Sequence, residues 1–169
     1  MANKKAHEAA EQDQVRISRV FDAPRELVFK AWTDPEQLLK WYAPTGCEIR
    51  FPQIEVKKGG NFLSCIVIPN GKECWCMGTY QEVVFPERIV HTMRVSDGLG
   101  NPLSAAEAGM DPEWPEETIL TVTFEDLGDK TRLDLHQTVS ESLAKRTGAY
   151  PSWIIMFDRL DELLQMKRN

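Results

Sequence analysis

The 169-residue sequence has no apolar run approaching the ~20 residues that a membrane-spanning helix requires. It has no excess of positive charge: 20 Lys and Arg stand against 26 Asp and Glu, a formal net charge of -6. That balance offers no electrostatic footprint for nucleic acid, and an anionic membrane surface would repel it. Histidine is scarce, at three residues, and no Gly-x-Ser-x-Gly elbow, phosphate-binding loop or dinucleotide fingerprint occurs. Residues 1–14 (MANKKAHEAAEQDQ) contain no apolar stretch of the kind a secretory signal needs. The four cysteines are therefore expected to be reduced thiols of a cytoplasmic protein and not a disulfide framework.

What is present is an ordinary globular composition, 42% hydrophobic and 27% charged, at a length that suits one domain. Residues 1–14 read as a frayed arm, with a single domain from Val15 to Asn169. Val15, Ile17, Val20 and Phe21 are strand formers. Asp22-Ala23-Pro24 then ends the strand, with Asp22 placed to cap a short helix in which Leu27, Val28, Ala31 and Trp32 recur at helical spacing. Asp34-Pro35 restarts the chain as a second short helix through Trp41, with Leu38, Trp41 and Tyr42 as its apolar contacts. Neither helix offers a basic recognition face, which excludes a DNA-reading pair.

From Cys47 the period becomes that of strands. Six are expected: 47–56, 61–68, 74–84, 88–96, 118–125 and 130–139. Their short turns demand antiparallel neighbours, hence a meander. Asn70-Gly71 reads as a two-residue hairpin turn, which would place Cys65 directly opposite Cys76. Residues 97–117 form a long Pro- and Gly-rich interruption, suited either to a lid or binding loop or to a solvated insertion pinned by Leu103, Met110 and Trp114. The last segment is a long helix with Ala149, Trp153, Met156, Phe157, Leu160, Leu163 and Leu164 on one stripe. Pro151 belongs in its first turn, so residues 140–147 form a separate preceding turn.

The fold class is therefore α+β: one strand, two short helices, six strands and a C-terminal helix. This string resembles the START-like superfamily, also called SRPBCC or birch-pollen-allergen-like, and within it the homologues of the heat-shock-protein-90 ATPase activator. The resemblance is carried by FDAPRELVFKAWTDP over 21–35, Trp41-Tyr42-Ala43-Pro44, Gly59-Gly60-Asn61-Phe62, Gly78-Thr79-Tyr80, Pro86-Glu87-Arg88-Ile89-Val90, TVTFED over 121–126 and Thr131-Arg132-Leu133. It implies a helix-grip fold, a curved antiparallel sheet wrapped around the long C-terminal helix with a cavity between them. Two features depart from the family pattern: Tyr42 stands where a second Trp is usual, and the 97–117 segment is longer. The eukaryotic activator also carries a separate chaperone-contacting domain, which the residues before Val15 are too few to supply.

In such a fold the cavity is lined by alternate strand residues and the helix stripe. The candidate ligand-binding residues are Trp41, Phe51, Phe62, Trp75, Met77, His91, Met93, Trp153, Met156 and Phe157. Abundant Trp and Met favour an adaptable interior. No residue is assigned a catalytic role, no cofactor is expected, and Cys74 and Cys76 with a histidine make too weak a pattern for a metal site. The favoured function is sequestration of a hydrophobic or aromatic small molecule, lipids included, by a monomer or homodimer, with residues 97–117 as the gate. The alternatives are a cyclase- or hydrolase-like enzyme acting on a hydrophobic substrate through a cavity histidine, His91 or His136, or a carboxylate, and a chaperone-linked interaction module of the stress response.

Overall fold

A computed structural model of the chain describes residues 13–168; the sequence-derived arm falls almost wholly outside them. Seven strands form one antiparallel sheet: β1 (Gln14–Phe21), β2 (Glu48–Ile54), β3 (Asn61–Val67), β4 (Glu73–Val84), β5 (Arg88–Val95), β6 (Glu117–Asp126) and β7 (Thr131–Ser140). Their spatial order is β1-β7-β6-β5-β4-β3-β2, so β2 to β7 are a continuous meander and β1 closes beside β7. Among the described residues four helices accompany the sheet: α1 (Arg25–Thr33), α2 (Pro35–Trp41), α3 (Glu141–Thr147) and α4 (Ala149–Arg168). This is the helix-grip α+β architecture that the element order implies.

Strand alternation sets what faces the helices. In β7, Thr131, Leu133, Leu135, Gln137 and Val139 are buried while their neighbours are not. In β6 the buried set is Thr118, Leu120, Val122 and Phe124. Against these inner rows α4 lays Trp153, Met156, Phe157, Leu160, Leu163 and Leu164, all buried, as the helical stripe requires. α1 adds Val28, Phe29, Ala31 and Trp32, and α2 adds Leu38 and Trp41. Edge strand β2 contains Pro52, which an edge tolerates because one side of the ladder is unpaired, and its register breaks between Arg50 and Gln53.

Local chemistry places the breaks. Asp34 caps α2, its carboxylate accepting the Glu36 N–H at 3.0 Å, with Pro35 in the first turn. The expected capping of α1 by Asp22 is not found: Pro24 occupies the N-cap position and no side chain caps it. α3 and α4 are separated by Gly148, whose φ of +90° is a left-handed conformation that terminates α3. Pro151 then falls in the first turn of α4, where its missing N–H costs nothing.

The β3–β4 hairpin corrects the register read from Asn70-Gly71. Ile68 N–H bonds the Lys72 carbonyl at 3.0 Å, Gly71 N–H bonds the Ile68 carbonyl, and Gly71 has φ +89°. The loop is thus three residues, a turn followed by a left-handed glycine, and not a two-residue loop. The added residue moves each partner by one, pairing Cys65 with Trp75 and Ser64 with Cys76. Cys65 and Cys76 are not opposed, and all four cysteines are free thiols.

The segment between β5 and β6 is ordered by its own polar groups. Asp97 accepts the N–H groups of Leu99 and Asn101 and the Asn101 side-chain amide. Ser104 and Glu107 bond reciprocally, each side chain accepting the other's backbone N–H. Arg146 of α3 then clasps the segment from outside, donating to Asp111 and, at 2.8 Å, to Glu113.

Candidate ligand cavity

A cavity of about 250 Å3 lies between the inner face of the sheet and the N-terminal half of α4. Strand parity builds its floor: Ser64 and Ile66 of β3 face Cys76 and Cys74 of β4, followed by Met93 and Val95 of β5, Thr118 of β6 and Gln137 of β7. Trp153 and Met156 of α4 form the roof, Tyr42 closes one end, and Met110 and Trp114 come down from the 97–117 segment. The cavity reaches the surface at Cys74 and Met110, both exposed. That Met110 and Trp114 line it puts the long segment at the mouth.

The polar groups at its inner end form one chain. Trp153 Nε1–H donates to Gln137 Oε1 at 3.1 Å, and Gln137 Nε2 donates to Thr118 Oγ1 at 3.1 Å, with Met93 Sδ at 3.8 Å from the same nitrogen. Gln137 is only 3% exposed. The list of candidates read from sequence omits it, although an amide in the row Thr131, Leu133, Leu135, Gln137, Val139 is the exception that marks it. Tyr42, in sequence an apolar contact of α2, also packs its ring on Trp153, with centroids 5.9 Å apart.

A second, much smaller void of about 20 Å3, room for a single water, lies deeper, between Trp32, Leu38, Tyr42, Phe51, Phe62, Tyr80, Ile89 and His91. The ten candidate residues therefore divide. Trp153, Met156, Met93 and Trp75 border the larger cavity, whereas Phe51, Phe62 and His91 border the small void. Trp41 is fully buried away from both, its Nε1–H bonded to the Ala31 carbonyl at 3.0 Å. Phe157 is also fully buried, edge-on to Phe21 at 5.9 Å, and serves the core. Met77 lies on the opposite face, paired with Leu63 and Arg94, because it has the odd parity of β4. Trp75 shares that parity: its Nε1–H donates to Glu73 and its ring backs onto Gly98, so it borders the cavity from under the loop. A further cavity of about 230 Å3 there is shared with Leu103, Ala108 and Met110.

Burial favours the uncharged form of four groups around the two spaces, while Arg94 adds a guanidinium residue to the lining of the larger one. Burial pushes the Cys76 thiol up to about 12 and raises the Tyr42 and Tyr80 phenols. His91 is pulled down to about 4, burial outweighing the hydrogen bond its Nδ1–H donates to the Thr92 carbonyl. His136, the other candidate base, does not face the interior: its Nε2 lies 2.7 Å from Gln14 Oε1 on the outer side of β7. Among the described residues no three of His, Cys, Asp or Glu converge as metal ligands.

Comparison with known proteins agrees with this geometry. Comparison with curated proteins gives no match. Among solved structures, a protein from Arthrobacter aurescens superposes with TM-score 0.79 at 21% identity, over 93% of this chain and 88% of its own. One from Chromobacterium violaceum gives 0.74 at 24% identity, over 90% and 97%. A third, the AHSA1 protein of Silicibacter pomeroyi, gives 0.72 at 19% identity, over 91% and 99%. At these identities the likeness is one of fold. The model of the Activator of Hsp90 ATPase homolog 1-like protein family matches residues 22–165, most of the chain, and the chain belongs to that family.

Proposed function

We propose that this protein binds one hydrophobic, largely aromatic small molecule in the cavity between α4 and the sheet. The observation that carries the reading is the 250 Å3 space itself, walled largely by apolar and aromatic side chains such as Tyr42, Met93, Trp153 and Met156, with Arg94 as the charged residue of its lining. An apolar cavity of about 150 Å3 already accepts benzene, so this one accommodates a guest of roughly two rings. Burial of such a guest contributes roughly 25 cal/mol per Å2 of apolar surface before the costs of ordering. The thioethers of Met93, Met110 and Met156 adapt to the guest's outline.

Binding is favoured over turnover by the state of the side chains. Catalysis near neutral pH calls for a group poised to exchange a proton there. The interior His91 is held neutral down to about pH 4, and the Cys76 thiol stays protonated. The 97–117 segment, clasped by Arg146, acts as the gate.

The test is a titration with an environment-sensitive naphthalene fluorophore, alongside native mass spectrometry of the freshly purified protein for retained small molecules. Saturation at one site per chain is expected, with Trp153→Ala weakening affinity about tenfold or more, equivalent to at least ~1.4 kcal/mol. Affinity unchanged in Trp153→Ala contradicts the reading.

A further inference from the structure

Proton direction in the buried polar chain narrows the guest, given the binding reading above. An indole N–H can only donate, so the bond from Trp153 Nε1 fixes the oxygen of Gln137 toward Trp153. The amide nitrogen must then face the other way, which makes it the donor to Thr118 Oγ1. Because that oxygen is accepting, the Thr118 hydroxyl hydrogen is left to point elsewhere. Gln137 Nε2 carries a second hydrogen as well, whose nearest partner is Met93 Sδ at 3.8 Å, a weak acceptor. Both Thr118 and Gln137 are almost wholly buried, at 2% and 3% exposure, and both line the cavity.

We infer that Thr118 and Gln137 form a specificity site of two hydrogen-bond donors, reading an oxygen acceptor on an uncharged aromatic guest. A ketone, quinone or similar carbonyl oxygen placed at this end receives both hydrogens. A pure hydrocarbon leaves the amide hydrogen on a thioether and gives the hydroxyl hydrogen no acceptor, and an ammonium, itself only a donor, meets the same two hydrogens. Buried donors that lose their acceptor discriminate more strongly than apolar walls do. The selection is thus built into the indole of Trp153, which both forms part of the wall and sets the orientation of the amide.

The inference is tested with three shape-matched probes: 2-acetonaphthone, 2-isopropenylnaphthalene, and 1-(2-naphthyl)ethylammonium, titrated by calorimetry or by quenching of tryptophan fluorescence. In the native protein the ketone binds about tenfold tighter than the hydrocarbon, and the ammonium binds weakest. In Gln137→Leu the ketone-to-hydrocarbon ratio falls toward one. Trp153→Phe, which keeps a ring at that position and leaves the amide free to turn, lowers the ratio as well. Because the ratio cancels changes common to both probes, altered stability of a variant does not imitate the result, and Thr118→Val, close to isosteric, supplies a variant that keeps the interior filled. Equal affinity of ketone and hydrocarbon for the native protein overturns the donor site while leaving the cavity reading intact. Tightest binding of the ammonium overturns it too, since the amide would then present its oxygen. Failure of all three probes to bind overturns the cavity reading and this inference with it.

Discussion

The two halves of the interior are built from the same sheet and helix yet differ in kind. Around the small void, the rings of Phe62, Tyr80 and His91 meet at centroid distances of 5.2 to 5.8 Å, and Trp32 packs on Trp41 at 4.7 Å. Gly78 is required there: a Cβ at that position would lie 2.0 Å from the Thr92 carbonyl oxygen and 2.5 Å from the Phe62 ring. Around the larger cavity three thioethers, two thiols and one amide join rings that are set further apart, those of Tyr42, Trp75 and Trp114, with Trp153 standing at the boundary and stacked on Trp32. Stiff rings fix a shape, whereas unbranched sulfur side chains leave space that a guest can remodel. On the proposed function, stability is concentrated in one half of the interior and recognition in the other.

That contrast breaks most visibly under truncation. Phe62→Ala removes a ring from the packed half and is expected to cost about 3–5 kcal/mol, whereas Met156→Ala beside the cavity costs roughly 1–2 kcal/mol, because part of its surface has no neighbours to lose. Urea denaturation of the two variants checks the difference, and equal costs would erase the distinction between the halves.

The pH dependence sharpens the comparison next. Between pH 6.5 and about 4 the unfolded chain binds a proton at His91 that the folded chain excludes. Stability therefore falls as pH falls across that window, by on the order of 3 kcal/mol, and this residue contributes no slope above it. Replacing His91 by Gln should flatten that part of the profile relative to the native protein; superposable profiles would show the imidazole to be solvated.

The smallest expected effect separates the two thiols of the open half. Cys74 is exposed at the mouth, while Cys76, two residues along the same inner face, has its thiol held protonated by burial. An alkylating reagent at pH 8 should modify Cys74 well before Cys76, and a bound guest should slow the reaction at Cys74. Faster labelling of Cys76 would mean that the open half admits water freely.

Much of this molecule is written locally and can be read without coordinates. Asp34-Pro35, the strand alternation, the apolar stripe of α4 and Pro151 in its first turn depend on neighbours a few residues apart. The β3–β4 register does not. Asn70-Gly71 suits both a two-residue loop and a three-residue loop ending in a left-handed glycine, and only the closing bond from Ile68 to Lys72 decides between them. The candidate site was legible in part for a related reason. Selecting Met77 by side-chain type ignored its odd parity in β4, which places it with Leu63 and away from Cys76, whereas Trp75, of the same parity, still borders the cavity beneath the loop. Trp41 and Phe157 are apolar and inward-facing, as read, but whether such a residue borders a space or fills one depends on what arrives from distant segments. Gln137 is not legible as a site residue in the sequence because its role depends on partners 16 and 19 residues away, Trp153 and Thr118.

The central claim is that one half of the interior is an adaptable receptor and the other a closed core, and the methionines report on it directly. Met93, Met110 and Met156 line the cavity, whereas Met77 and Met166 lie outside it. With methyl-labelled methionine and a titration of 2-acetonaphthone followed by NMR, the account predicts saturable shifts at Met93, Met110 and Met156 and none at Met77 or Met166. Shifts spread evenly over all five, or confined to Met77 and Met166, would contradict it.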